Sequence, residues 1–136
     1  MGVAAKSNLR STIYEVRSIH IKCGDSVQQK SEQLKARTKR FANAIIRLVR
    51  TLPNRPESWV IGKQVLRSGT SIAANYRAAC RARSRAEFLA RLGIVVEESD
   101  ETVFWLELLS EAEVIGKESL TKISSEANEL VSIFSA

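Results

Sequence analysis

The stretch Arg67-Ser68-Gly69-Thr70-Ser71-Ile72-Ala73-Ala74-Asn75-Tyr76 lies at the centre of the chain and decides how the rest of it folds. Most of its side chains are small, and its single glycine, which a helix tolerates, is the only residue that could break a helix. Gly69 and Ala73 stand four residues apart, so they share one helix face and allow a second backbone to come close. The stretch therefore predicts a buried helix in a tightly packed all-α protein.

The helix that contains this stretch is predicted to begin close to Pro56. Proline suits the first turn of a helix, because the backbone N–H that it lacks would have no partner there. Asn75 lies beside the apolar stripe, and we interpret it as a hydrogen-bonded structural residue rather than a catalytic one. The stripe recurs at helical spacing and consists of Ile61, Val65, Ile72, Tyr76, Ala79 and Cys80.

The segment before it predicts a basic amphipathic helix that begins near Ser31 or Glu32. Pro53 cannot continue a helix, so this one should end by Leu52. Lys39 and Arg40 fall on its polar faces, where they either contact phosphates or remain solvated. Its apolar residues are spaced three or four apart and are Leu34, Phe41, Ala44, Ile45, Leu48 and Leu52.

A third helix is predicted from about Arg85 to Ile115, because Ser84 and Glu87 form a capping box. Gly116 is expected to end it as the residue after the C-cap. Its main seam has coiled-coil-like spacing and consists of Phe88, Leu92, Val95, Ser99, Thr102, Leu106 and Leu109. A second stripe, with Trp105 off the main seam, predicts an oligomer interface made of Leu89, Val96, Val103 and Trp105.

A fourth amphipathic helix is predicted after Gly116, from the helical spacing of Leu120, Ile123, Ala127, Leu130, Val131 and Phe134. Four such helices with short connections predict an all-α, antiparallel up-down-up-down four-helix bundle over residues 31–136. Residues 1–30 are polar and weakly patterned, so we expect a flexible or loosely docked N-terminal extension.

Charge is distributed unevenly along the chain. Residues 1–93 contain nineteen Lys and Arg against five Asp and Glu, whereas residues 94–136 contain two against ten. A basic face attracts polyanions such as nucleic acid, but helices of opposite charge could equally pack beside each other. The candidate nucleic-acid-binding residues are Arg77, Arg81, Arg83, Arg85, Arg91, Lys39 and Arg40.

Several classes of function find no support in the sequence. No paired acid and base, nucleophile or phosphate loop is present, so we expect no enzyme and no cofactor. The acidic residues between Glu97 and Glu113 lack the Glu-x-x-His step of carboxylate metal sites, and His20 is the only histidine. No metal site is therefore expected. Two isolated cysteines and the lack of an export or transmembrane run predict a cytoplasmic protein without membrane contact.

Three motifs together resemble the bacterial four-helix bundle family, also called the ribosomal S23 or 23S rRNA intervening-sequence protein family. They are Arg67-Ser68, the run from Ser71 to Asn75, and the segment from Glu97 to Trp105. The resemblance covers roughly residues 32–134. It departs after Asn75-Tyr76, where the family usually has an acidic residue and a glycine and this chain has Arg77-Ala78-Ala79.

The resemblance implies a bundle that assembles into a ring, typically a homopentamer. A related branch is the accessory variability protein of diversity-generating retroelements, a basic pentameric barrel that binds nucleic acid and a reverse transcriptase. The first functional hypothesis is thus a non-enzymatic oligomer that binds RNA or DNA without sequence preference, accessory to a retroelement reverse transcriptase. The alternative is a protein–protein interaction scaffold with no nucleic-acid ligand.

Overall fold

The computed structural model describes residues 25–136, and all regular secondary structure in this range is helical. The helices are α1 (Asp25–Arg50), α2 (Pro56–Cys80), α3 (Arg85–Glu111) and α4 (Lys117–Ser135). The all-α prediction is confirmed. No helix in residues 25–136 combines the length and apolar character needed to cross a bilayer.

The predicted start of the first helix is wrong by about six residues. α1 already begins at Asp25, and Val27 packs against the core although the weak apolar pattern before Ser31 gave no start signal. Residues 25–30, predicted as part of the extension, therefore belong to this helix. The rest of the predicted N-terminal extension, including His20, lies outside the described residues.

One hydrophobic core joins the four helices. α2 packs against both α1 and α3, α3 also packs against α4, and α1 touches α4 more lightly. The seam predicted on α3 is confirmed in full, because all seven of its residues are buried. The two hydroxyls in that seam are satisfied within the helix: Ser99 Oγ donates to the carbonyl oxygen of Val95 at 2.7 Å, and Thr102 Oγ1 donates to that of Glu98 at 2.7 Å.

Gly69 lies where α1 and α2 come close to each other. The small residues around it in the sequence predicted such a close approach of two helices. A Cβ atom built on Gly69 would stand 2.8 Å from Cγ1 of Ile45, which is fully buried. No real Cβ tolerates such a contact, so the glycine sets the spacing of these two helices. Tyr76, two turns further along, is also buried and its ring lies 5.4 Å from that of Phe134.

The end of α3 differs from the prediction. The helix stops at Glu111 and not at Ile115, and Gly116 is the N-cap of α4 with an ordinary negative φ of −61°. The left-handed residue is Glu113, with φ of 55°. The N–H of Val114 donates to the carbonyl oxygen of Leu109 at 3.0 Å and that of Glu113 to Ser110 at 3.1 Å, which is a Schellman motif. Burial of Val114 favours this earlier stop.

Candidate nucleic-acid interface

Three of the predicted arginines lie in the short connection between α2 and α3 and at the first residue of α3. α2 ends at Cys80, Arg81 is its C-cap, and Ser84 is the N-cap of α3. Ala82 packs against the core from within the loop, whereas Arg81, Arg83 and Arg85 are exposed. The half-buried alanine fixes the loop to the bundle, so the alternating arginines project into solvent.

The capping box predicted at Ser84 is confirmed and stiffens this connection. Ser84 Oγ accepts from the backbone N–H of Glu87 at 3.1 Å. The Glu87 carboxylate accepts from the backbone N–H of Arg83 at 2.9 Å, one residue before the position that a standard box would use. Glu87 therefore bonds the loop backbone, and the guanidinium groups around it stay available for another partner.

Arg77 and Arg91 complete what we call the arginine cluster: Arg77, Arg81, Arg83, Arg85 and Arg91. All five side chains are exposed, and within residues 25–136 none of them forms an ion pair with an acidic residue. Glu87 is the one acidic residue between Arg77 and Arg91 in the sequence. Unpaired guanidinium groups of this kind suit bidentate contact with phosphates.

Lys39 and Arg40, which the sequence analysis grouped with these arginines, are also exposed but lie on α1. Ser31 Oγ of α1 is 3.2 Å from Cys80 Sγ, so Ser31 marks the level at which α1 passes the end of α2. Lys39 stands eight residues further along, about 12 Å at 1.5 Å per residue. The two residues therefore flank the arginine cluster at a distance and are not part of it.

Two other basic residues, which were not among the predicted binding residues, pair with acids on other helices. Arg37 on α1 donates to Glu126 at 2.7 and 2.9 Å and lies 2.9 Å from Glu129, both on α4. Its side chain is only 16% exposed. The hydrogen bond with Glu126 is the main cause that raises the pKa of Arg37, which stays charged at any ordinary pH.

Arg67 on α2 links to α3 in a second network. It bonds Glu101, whose Oε1 also accepts from Trp105 Nε1 at 3.1 Å, and it lies 3.4 Å from Glu98. The hydrogen bond from Arg67, with a smaller contribution from Trp105, lowers the pKa of Glu101 below its ordinary value. The two glutamates are 31 and 34 residues from Arg67 in the sequence, so no local pattern predicts these pairs. The only signal in the sequence is the opposite charge of the two segments.

The predicted interface residues do not form one surface. Leu89 is exposed, whereas Val96, Val103 and Trp105 are half-buried and pack against the core. Val96 and Trp105 are nine residues apart, which places them on opposite sides of a helix with 3.6 residues per turn. Trp105 also belongs to the Arg67 network on the α2 side of α3.

Asn75 and Tyr76, in the central stretch of the sequence, have structural roles in the described part of the chain. Asn75 is half-buried and Nδ2 donates to the carbonyl oxygen of Ser71 at 2.9 Å, so it bonds its own helix. Burial, followed by the neighbouring Cys80, raises the pKa of Tyr76. No group of three or more potential metal ligands occurs in residues 25–136.

Comparisons with known proteins give two findings. The model of a family described as 23S rRNA-intervening sequence protein matches residues 29–136. Among solved structures, the chain is similar to a protein of unknown function from the S23 ribosomal protein family of Bacteroides thetaiotaomicron VPI-5482. The two are 39% identical, the match covers 76% of this chain and 93% of that one, and the TM-score is 0.71. No curated protein matches the chain.

Proposed function

The chain belongs to the 23S rRNA-intervening sequence protein family, and from this premise we propose that it is a non-enzymatic, oligomeric nucleic-acid-binding protein. The arginine cluster carries the proposal, because five exposed guanidinium groups lie around one connection without acidic partners in the described chain. Contacts of this type go to phosphates and are insensitive to base sequence. The ligand is therefore RNA or DNA, bound without sequence preference.

We further propose an antiparallel up-down-up-down arrangement of the helices and a ring-shaped oligomer. The contacts Ser31–Cys80, Ile45–Gly69 and Leu52–Gly62 advance in opposite directions along α1 and α2, which supports the antiparallel order. In a closed ring, every subunit would repeat the same arginine cluster. Several weak phosphate contacts to one nucleic-acid strand would then give a high overall affinity.

The test is binding of a labelled random-sequence oligonucleotide as a function of salt. We expect affinity to fall steeply with salt, because each phosphate contact releases condensed counterions. The double variant Arg81→Glu/Arg83→Glu should reduce both the affinity and the slope. Its matched control is Lys117→Glu/Lys122→Glu, which makes the same charge change at two exposed lysines of α4. Binding that ignores salt, or equal losses in both double variants, would contradict the proposal.

A protein–protein interaction scaffold is the second candidate. It is supported by a separate observation: large apolar side chains remain exposed on α2 and α3, namely Trp59, Val60, Leu89, Ile94 and Phe104. If the protein is a scaffold, the wild type should not bind the oligonucleotide. Reversing the charges of Arg81 and Arg83 should then dissociate the protein assembly. Light scattering on the double variants separates the two functions.

A further inference from the structure

A second candidate contact surface lies far from the arginine cluster, where α1 is joined to α2. An open groove of about 460 Å³ runs along the outside of these two helices. Its apolar lining includes Val49, Leu52 and Leu66, and its polar lining includes Ser58 and Lys63. Trp59 forms one wall, and we call this feature the Trp59 groove. No motif in the sequence indicated it.

Trp59 is held in place although it is largely exposed. Its side chain is 57% exposed, and Nε1 donates to Asn54 Oδ1 at 2.9 Å. The hydrogen bond ties the edge of the indole to the loop before α2, so the ring is oriented before any ligand arrives. A fixed, exposed aromatic ring is the usual platform on which proteins stack an unpaired base.

Two unsatisfied polar features lie beside the ring. Ser58 is only 3% exposed, and its Oγ has no hydrogen-bond partner in the described chain. The N-cap Arg55 makes no side-chain bond to the first turn of α2, whose own bonding begins with Trp59 N–H to Arg55 oxygen at 3.2 Å. The start of this 25-residue helix therefore offers backbone N–H groups and the positive end of the helix dipole to an anion.

The charge around the groove matches such an anion. Lys63 lines it, and Arg50 and Arg55 are exposed on the chain segments that border it. None of these three forms an ion pair in residues 25–136, and Glu57 is the acidic residue next to them in sequence. A neutral apolar peptide would fill the groove but leave the cations and Ser58 without partners.

We propose that the Trp59 groove binds an unpaired nucleotide of a single-stranded nucleic acid, with the base stacked on Trp59 and the phosphate at the start of α2. This inference rests on the proposed function and adds to it a preference for single strands over duplexes. A paired base cannot stack on a side chain outside the helix, so duplex binding should depend on the arginine cluster alone.

One strand can reach both surfaces. Trp59 and Arg81 are 22 residues apart, and 22 residues of helix span about 33 Å. A strand with a spacing of 3.4 Å per nucleotide covers this distance with about ten nucleotides. Oligonucleotides of twelve nucleotides should therefore bind more tightly than those of four, which can occupy only one surface.

The experiment measures fluorescence anisotropy of a labelled twelve-nucleotide single strand, as RNA and as DNA, and of the matching duplex. We expect Trp59→Ala to weaken single-strand binding about tenfold and to leave duplex binding unchanged, because base–aromatic stacking contributes about that factor per base. Trp59→Phe should keep most of the affinity. Phe104→Ala is the matched control, since Phe104 is a half-exposed aromatic residue on α3, outside the groove.

Ser58→Ala gives a second readout that does not depend on Trp59. If the hydroxyl serves the ligand, its removal should weaken single-strand binding about threefold or more while leaving thermal stability equal or higher. Stability that falls while binding stays constant would assign Ser58 a purely structural role and contradict the proposal. The proposal would also be contradicted if the Trp59→Ala variant bound single strands as tightly as the wild type. A change in the mass of the oligomer on this substitution would contradict it as well.

These outcomes are separable from a failure of the proposed function. A wild-type protein that binds neither single strand nor duplex overturns both. Binding that depends on Arg81 and Arg83 but not on Trp59 overturns the groove alone. Binding that depends on Trp59 and survives Arg81→Glu/Arg83→Glu supports the groove and overturns the arginine cluster as the main contact.

Discussion

Gly69 is the residue at which the packing of α1 against α2 leaves no room for a side chain. Its closest contacts are Cγ1, Cγ2 and Cβ of Ile45, all near the backbone of a β-branched residue that cannot swing aside. Gly93 is the opposite case, since a Cβ there meets nothing within 4 Å and the residue lies inside α3. The same substitution should therefore have opposite effects at the two sites.

We predict that Gly69→Ala lowers the free energy of unfolding by about 1–3 kcal/mol, because overpacking a well-packed core costs this much. Gly93→Ala should raise it by about 0.5–1 kcal/mol, because alanine loses less conformational entropy in a helix. Urea unfolding of both variants measures the difference. A Gly69→Ala variant as stable as Gly93→Ala would mean that the helices are not this close.

Glu113 is a second residue whose backbone conformation decides a local structure. Its φ of 55° lies in the left-handed region, where glycine is favoured and other residues are strained. No structural reason for a glutamate at this position is apparent. The Schellman bonds around it depend on the backbone alone, so glycine can make all of them.

We predict that Glu113→Gly raises the free energy of unfolding by about 1 kcal/mol, through relief of this strain. Glu107→Gly is the control inside α3, at an exposed glutamate, and it should lower stability by about 1 kcal/mol. Thermal unfolding of the two variants is sufficient. Destabilisation by both substitutions would show that Glu113 is not strained in solution.

At the scale of the helices, acid–base pairs join elements that are distant in sequence. Arg37 connects α1 to α4, and Arg67 connects α2 to α3. The hypothesis that oppositely charged helices pack beside each other is confirmed at these two arginines. The arginine cluster has no such intramolecular partners in residues 25–136, so neutralisation within the bundle does not account for it.

The Arg67 network makes stability depend on pH in a defined direction. Because the pKa of Glu101 is lowered on folding, its carboxylate stabilises the protein above the ordinary carboxyl pKa of about 4.3, and this contribution is lost as pH falls through the lower folded value. We therefore predict that Glu101→Gln is less stable than the wild type at pH 7. The difference should shrink as the pH falls below the ordinary carboxyl value.

Urea unfolding at pH 7 and at a series of lower pH values tests this prediction. The effect should be small, because the pair is largely exposed and screened by solvent. Glu97→Gln is the control, since Glu97 is exposed on the same helix and forms no ion pair in the described residues. A difference that stays constant as the pH falls would assign the effect to packing and not to charge.

At the scale of the whole molecule, the exposed apolar residues and the unpaired arginines both point to partners outside the chain. We predict that light scattering gives a mass several times the 15.1 kDa of one chain. Leu89→Glu should reduce this mass if the second stripe of α3 is the interface. Val60→Glu is the comparison on α2, because Val60 is exposed but lies outside that stripe. A monomeric wild type would contradict the ring.

Local sequence patterns were sufficient for much of this protein. The family resemblance drawn from three motifs is confirmed by the match over residues 29–136. The buried seam of α3 and the Ser84 cap also followed from spacing alone, because helical periodicity and capping depend on residues within a few positions of each other. The same logic failed at the start of α1 and at Gly116, where weak patterning and a strained glutamate replaced the expected signals.

The amino-acid sequence by itself determined the four helices, the faces that they bury and the family, since these depend on local propensity and on the burial of apolar stripes. Only the tertiary structure decided which arginines are paired and which are not. Arg37 and Arg67 were no different from Arg81 or Arg83 in the sequence until packing brought distant glutamates to them. The Trp59 groove is likewise formed by residues of α1, of the α1–α2 loop and of α2 together. No local sequence pattern predicts how these three segments pack.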